Sequence, residues 1–313
     1  MAKPVDWELI VKTCPEFELN AWDFVFAIVA FIGVIFTIIQ LAQLQKKKEN
    51  ESSLIGMLAL CDFMICFVYI MTYFPTSVIF YFRSNYFAGI QIDARTSFQS
   101  LKIAYDTIMT FAVFLLIVER FLWTCSSRTR LTWNVFTEKK SKKRVMLVTI
   151  VYAFLSFFTR MFVLSDVPFC DIAPCPFLFE IEALKIIQLY VVPGIDALVC
   201  VATLIFALLT IIRVSKVGEG EELVVQKNTN RIKRCIMCIL VIYATFIIRT
   251  VCYYIFINHQ TSDLFQKTPS AHNLTVWWYD FMSVLFSGSR YVLYYAFCRN
   301  QIVTEYPPTA LGQ

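Results

Sequence analysis

FLLIVERFLWT, residues 114–124, carries an acid and a base side by side at the end of an apolar run. Whether that run crosses a membrane or lines a soluble core decides the fold. Composition separates the two. A soluble domain carries about 25% charged residues and needs them to cover its surface. This chain of 313 residues is 16% charged and 58% hydrophobic, with a mean hydropathy of +0.63. It has too little polar side chain to cover a globule of its size. The run therefore reads as a membrane span, and Glu119 and Arg120 stand at its end.

Working outward, the apolar stretch around residue 114 covers about 98–123, enough for the ~20 residues that a spanning helix needs. Further stretches of this kind lie at about 22–44, 53–74, 145–164, 184–212, 235–258 and 276–298. The expected fold is an all-α membrane protein, a seven-transmembrane helix bundle. It divides into an N-terminal segment 1–21, a helical domain 22–298 and a short tail 299–313. The first stretch lacks a basic lead-in and a small-residue cleavage site, so it reads as a retained span and not as a signal peptide. No internal repeat is visible, which disfavours transporter folds built from duplicated halves.

Lysine and arginine placement sets the orientation. Lys46–Lys48, the cluster Arg128 to Arg144, the cluster Arg213 to Arg234 and Arg299 fall on one side. Only Lys3, Lys12, Arg83, Arg95 and Lys267 fall on the other. The N-terminus is therefore expected outside and the C-terminus inside, at the plasma membrane with the lipid bilayer as its solvent. The sequon Asn273-Leu-Thr275 lies in the last external loop and is an expected glycosylation site, whereas Asn50-Glu-Ser52 lies inside and is expected to stay bare.

The 11 cysteines do not read as a disulfide scaffold. Most lie in apolar runs, where cysteine behaves as a small hydrophobe. Cys235-x-x-Cys238 has the spacing of half a zinc site but no second pair or histidine cluster to complete it. No metal, cofactor or nucleic-acid partner is expected. No GxSxG, HExxH or paired Asp-Gly motif points to an enzyme.

Ionisable residues at membrane depth are functional candidates by default, because each is costly there. Here they are Asp62, Lys102, Asp106, Glu119, Arg120, Arg160, Lys185, Asp196, Arg249, Asp280 and Arg290. Lys185, near a span end, reads as reaching to the interface.

The order of these residues resembles a known family. The second span holds Leu58-Ala59-Leu60-Cys61-Asp62, similar to the LAxxD motif of rhodopsin-like G-protein-coupled receptors. The third ends in Glu119-Arg120-Phe121, similar to their D/E-R-Y motif. The fifth has Pro193. The seventh has Arg290-Tyr291-Val292-Leu293-Tyr294 where that family has NPxxY. The resemblance covers about residues 20–300. Short tails and the SRYVLYY ending resemble nematode serpentine receptors, chemosensory or neuropeptide-type. There are departures too. Arg95 stands near the family's usual third-span cysteine, the sixth span has no CWxP, and its base carries no acid.

The resemblance implies a receptor for an extracellular ligand that activates a heterotrimeric G protein. Glu119, Arg120 and Tyr294 would form the G-protein-facing switch, with Glu119 as the resting partner of Arg120. Family members bind sodium beside the second-span aspartate. Here Arg290 occupies the facing position, and two opposite charges in a low-dielectric bundle are expected to pair; the bland alternative has Arg290 reaching to the interface. The external loop holds Cys170 and Cys175, which bond to each other or leave one for Cys14. For the ligand, Lys102 and Asp106 share a helical face at i, i+4. They either neutralise each other or present charge, with Arg249, Tyr253, Trp277 and Asp280 opposite. Trp277 also suits an interfacial aromatic belt. A transporter or channel is the rival class, because intramembrane charge suits it equally.

Overall fold

The computed structural model describes residues 21–46, 53–82, 85–125, 129, 132–133, 139–164, 186–216, 281–293, 295 and seven positions between 237 and 251. The described residues are helical, with no strand among them. The helices are α1 (Ala21–Lys46), α2 (Ser53–Phe82), α3 (Asn85–Trp123), α4 (Lys139–Leu164), α5 (Val192–Lys216) and α6 (281–293). α6 lies inside the seventh expected span. Four stretches are long and apolar enough to cross a membrane: Phe24–Leu44, Leu54–Thr72, Ser100–Leu122 and Gly194–Arg213.

Side-chain burial is inverted relative to a soluble protein. Ile28, Phe31, Ile32, Ile35, Ile38 and Ile39 line an exposed face of α1, and Leu198, Val201, Leu204, Ile205 and Leu208 do so on α5. The interior holds Thr37, Asp62, Ser100, Thr107, Glu119, Arg120, Ser283, Ser287 and Arg290 beside its hydrophobic core. Polar groups inside and aliphatic ones outside is the arrangement that lipid imposes. The hydroxyls follow the same logic. With no water to bond, Thr37, Thr110, Thr203 and Thr210 donate to the carbonyls of Gly33, Asp106, Val199 and Phe206, four residues back on their own helices. That satisfies each hydroxyl without a partner helix.

α3 is the hub: it packs against α2, α4 and α5, while α1 packs on α2. The far side is closed by α6. At the α1–α6 crossing the two glycines meet, and a Cβ on Gly33 would come within 3.3 Å of the Gly288 Cα and 2.7 Å of the Cys66 Sγ. Phe26 packs edge-on to Phe281 at 5.4 Å, and Gln43 Nε2 donates to the Tyr291 hydroxyl at 3.3 Å. The small residues let two backbones approach where no side chain fits, a recurrent device of membrane helices.

α5 begins irregularly for a reason visible in its sequence. Ile187–Val191 form a π-helical turn, and the amide of Val192 donates to the carbonyl of Ile187, five residues back. Pro193 follows, and proline has no N–H to offer the helix; a π turn is a common way for a helix to continue past such a residue.

The second span, which the apolar run allows to extend further, does so, and two expected starts move earlier. α2 continues to Phe82, α3 starts at Asn85 and α4 starts at Lys139. The 39-residue α3 is about 58 Å long, well beyond an apolar core of ~30 Å. The apolar count sees only the part of a helix at membrane depth, whereas the backbone hydrogen bonds continue through polar residues such as Asp93, Arg95 and Lys142.

Candidate functional site

The structure brings Asp62 and Arg290 together. Arg290 Nη1 lies 2.8 Å from Asp62 Oδ1, with side-chain exposures of 2% and 1%. Arg290 therefore turns inward to α2 and does not reach for the interface. The same Nη1 also approaches Met109 Sδ on α3 at 3.0 Å. One guanidinium nitrogen thus ties α6 to both α2 and α3. The contact is end-on, and Arg290 Nε and Nη2, like the Ser287 Oγ one turn away, have no hydrogen-bond partner among the described residues. The charges are matched but the hydrogen bonding of the guanidinium is incomplete. Such a pair is a poor stabiliser compared with apolar packing.

Glu119 and Arg120 both lie in the last turn of α3, and both are 4% exposed. α3 is surrounded by α2, α4 and α5, so even its final turn is covered. Beyond Arg120, Phe121 enters an aromatic cluster. Its ring stands 5.3 Å from Phe206 of α5, which also meets Phe114 at 6.1 Å and Trp133 at 6.1 Å. Arg213 closes this cluster. Its guanidinium lies 5.2 Å over the Phe121 ring, and its Nη1 donates to Cys125 Sγ at 2.9 Å.

Nearer the other end of α3, Lys102 Nζ sits 4.9 Å over the ring of Tyr69 on α2. Lys102 thus has an aromatic partner in addition to the i+4 carboxylate that the sequence offers. Asp196 on α5 lies within electrostatic reach of both Asp106 on α3 and Tyr152 on α4. The Asp196 Oδ1 and the Tyr152 hydroxyl are buried without a hydrogen-bond partner among the described residues. Tyr152 also packs edge-on to Phe111 of α3 at 5.8 Å. Sequence reasoning named Asp196 as an intramembrane charge but gave it no place in the site. Its position three residues after Pro193, in a run otherwise apolar, was the available signal. Tyr152, one aromatic among many, gave none.

The other residues expected at the site, Arg249, Tyr253, Trp277, Asp280 and Tyr294, lie outside the residues described at side-chain level, as do Cys14, Cys170, Cys175 and Asn273. Cys61, Cys66, Cys125 and Cys200 carry reduced thiols. Among the described residues no three His, Cys, Asp or Glu side chains gather as a metal site would require.

The charged groups thus fall into three places along the bundle: Lys102, Asp106 and Asp196 toward one end, Asp62 and Arg290 in the middle, and Glu119, Arg120 and Arg213 at the other. Comparison of the sequence with protein-family models and with curated proteins finds no match.

Proposed function

We propose that the protein is a G-protein-coupled receptor of the plasma membrane. It binds an extracellular ligand in the half of the bundle that holds Lys102, Asp106 and Asp196. It activates a heterotrimeric G protein at the end that holds Glu119 and Arg120. The observation that supports this most is the burial of Glu119 and Arg120 at the last turn of the central helix. An arginine presents five N–H donors and stays charged at any accessible pH. Held inside the bundle, it is unavailable to a partner; exposed by a shift of α5 or of the sixth span away from α3, it becomes a docking point. A packed bundle with two discrete arrangements is a switch of this kind.

Asp62 and Arg290 sit between the two ends and link α2, α3 and α6. By the resemblance, a sodium ion would accompany that aspartate. In this chain the guanidinium supplies the positive charge covalently, so agonist affinity is expected to be insensitive to sodium.

Arg120→Ala is the direct test. In cells expressing the full chain with a promiscuous G protein, basal and ligand-evoked second-messenger output should fall to the background of untransfected cells at unchanged surface expression. Because no acid stands at the base of the sixth span to hold Arg120 further, the wild-type protein should show measurable basal output. Preserved coupling in the variant sinks the receptor reading. Substrate flux without a second-messenger change would establish the transporter or channel that the intramembrane charges equally suit.

A further inference from the structure

We infer that Arg213 is a clasp that holds the end of α3 closed over Arg120; its regulatory role rests on the receptor reading above. Three contacts carry the inference. The guanidinium of Arg213 stands 5.2 Å over the ring of Phe121, the residue next to Arg120. Its Nη1 donates to Cys125 Sγ at 2.9 Å, and the Cys125 thiol in turn donates to the Phe121 carbonyl at 3.5 Å. Arg213 therefore grips one residue twice, its ring directly and its backbone through the thiol.

The chemistry suits the position. The Phe121 carbonyl belongs to the last turn of α3, where carbonyls lack an amide one turn ahead within the helix. Thr124 supplies two donors to it, its amide at 2.9 Å and its Oγ1 at 2.6 Å. The Cys125 thiol adds a third, and as a neutral S–H it donates to the carbonyl and accepts from Arg213 at once. The negative end of the helix dipole favours a cation at this place, and Arg213 delivers one from another helix. Cys125 is 5% exposed and its thiol is covered by the contact.

The consequence is mechanical. Arg213 lies near the end of α5, and Phe206 lies seven residues earlier, about two turns back on the same helix. A swing of that end away from α3 must break the cation–π contact, the guanidinium–thiol bond and the Phe121–Phe206 packing together. Phe121 and the neighbouring Arg120 are then released in one step. Contacts that break together make the closed state bistable and not gradually loosened.

The test uses the full-length protein in lipid nanodiscs and follows maleimide modification of Cys125 by peptide mass spectrometry, alongside basal second-messenger output in cells. Arg213→Leu should accelerate Cys125 modification about twofold to fivefold, the factor that matches the loss of one exposed cation–π contact, and should raise basal output. Arg213→Lys keeps the charge but not the planar fork, so it should fall between the two. Phe121→Leu removes the ring but keeps its apolar bulk, and should accelerate modification as well; it decides the question if Arg213→Leu fails to fold. Unchanged modification of Cys125 in folded Arg213→Leu, or in folded Phe121→Leu where only that variant folds, overturns the clasp. Accelerated modification with flat second-messenger output leaves the clasp standing and overturns the receptor reading on which its role depends.

Discussion

Arg290 and Asp62 are as deeply buried as the aliphatic residues around them, removed from bulk solvent. Removing one partner of such a pair leaves the other as an uncompensated ion, which costs about 3–5 kcal/mol. Replacing both with apolar residues of similar shape removes the desolvation cost as well as the attraction. Asp62→Leu and Arg290→Met should therefore each lower the unfolding midpoint of the detergent-purified protein sharply. The double variant should recover most of that loss and at the same time lose any response that passes through the middle of the bundle. Additive loss in the double variant would mean that the two residues contribute independently. This pair could be anticipated because the resemblance sets Arg290 opposite Asp62, and opposite charges in a low-dielectric interior gain from pairing. The contact of Arg213 with Cys125 could not. Arg213 ends an apolar run and counts equally well as a loop charge that follows the positive-inside rule. Nothing in the local sequence tells that it folds back onto α3.

At the scale of the helices, close approach depends on residues that have almost no side chain. Gly33 and Gly288 bring α1 and α6 into backbone contact, with Cys66 of α2 filling the third side. Gly33→Ala would place its Cβ 2.7 Å from Cys66 Sγ, too close without a shift. Overpacking of this kind costs about 1–3 kcal/mol. Cys66→Ala removes the obstructing sulfur and should restore part of the loss in a Gly33→Ala background, the 3.3 Å approach to the Gly288 Cα remaining. Gly288→Ala would instead meet the Gly33 Cα at 3.2 Å, a backbone atom that cannot turn aside, so Cys66→Ala should give no rescue there. Thermal unfolding of the four variants in one lipid system checks this; rescue of Gly288→Ala by Cys66→Ala would mean that the helices are not locked at this crossing. Four of the expected spans were legible because lipid demands long apolar runs, and Phe24–Leu44, Leu54–Thr72, Ser100–Leu122 and Gly194–Arg213 meet that demand. Helix ends were not, since α3 and α4 continue through charged residues as helices that hydropathy does not register. The π turn before Pro193 could be located in principle, because proline's missing amide acts on a fixed neighbour.

For the whole molecule, the expectation with the widest consequence is orientation, because it decides which end of the bundle meets a ligand. The burial pattern is the same either way up: an apolar exterior and a polar interior have no sense of direction. Direction comes from the charged segments between spans, where Arg128 to Arg144 and Arg213 to Arg234 share one side. On that expectation, Glu119, Arg120 and Arg213 stand at the cytoplasmic end and Lys102, Asp106 and Asp196 toward the exterior. Reversed, the arginine switch would face outward, where no G protein exists, and the receptor proposal would lose its mechanism. Two sequons decide the matter, because oligosaccharide transfer occurs only on the lumenal side of the membrane. Asn273 precedes the last expected span and Asn50 follows the first, so in a seven-span chain the two lie on opposite sides. Expressed in cells, the protein should show a mobility shift on glycosidase treatment that Asn273→Gln abolishes and Asn50→Gln leaves intact. A shift carried by Asn50 alone would invert the molecule. A shift carried by both would change the number of spans between them, and with it the seven-helix count on which the resemblance rests.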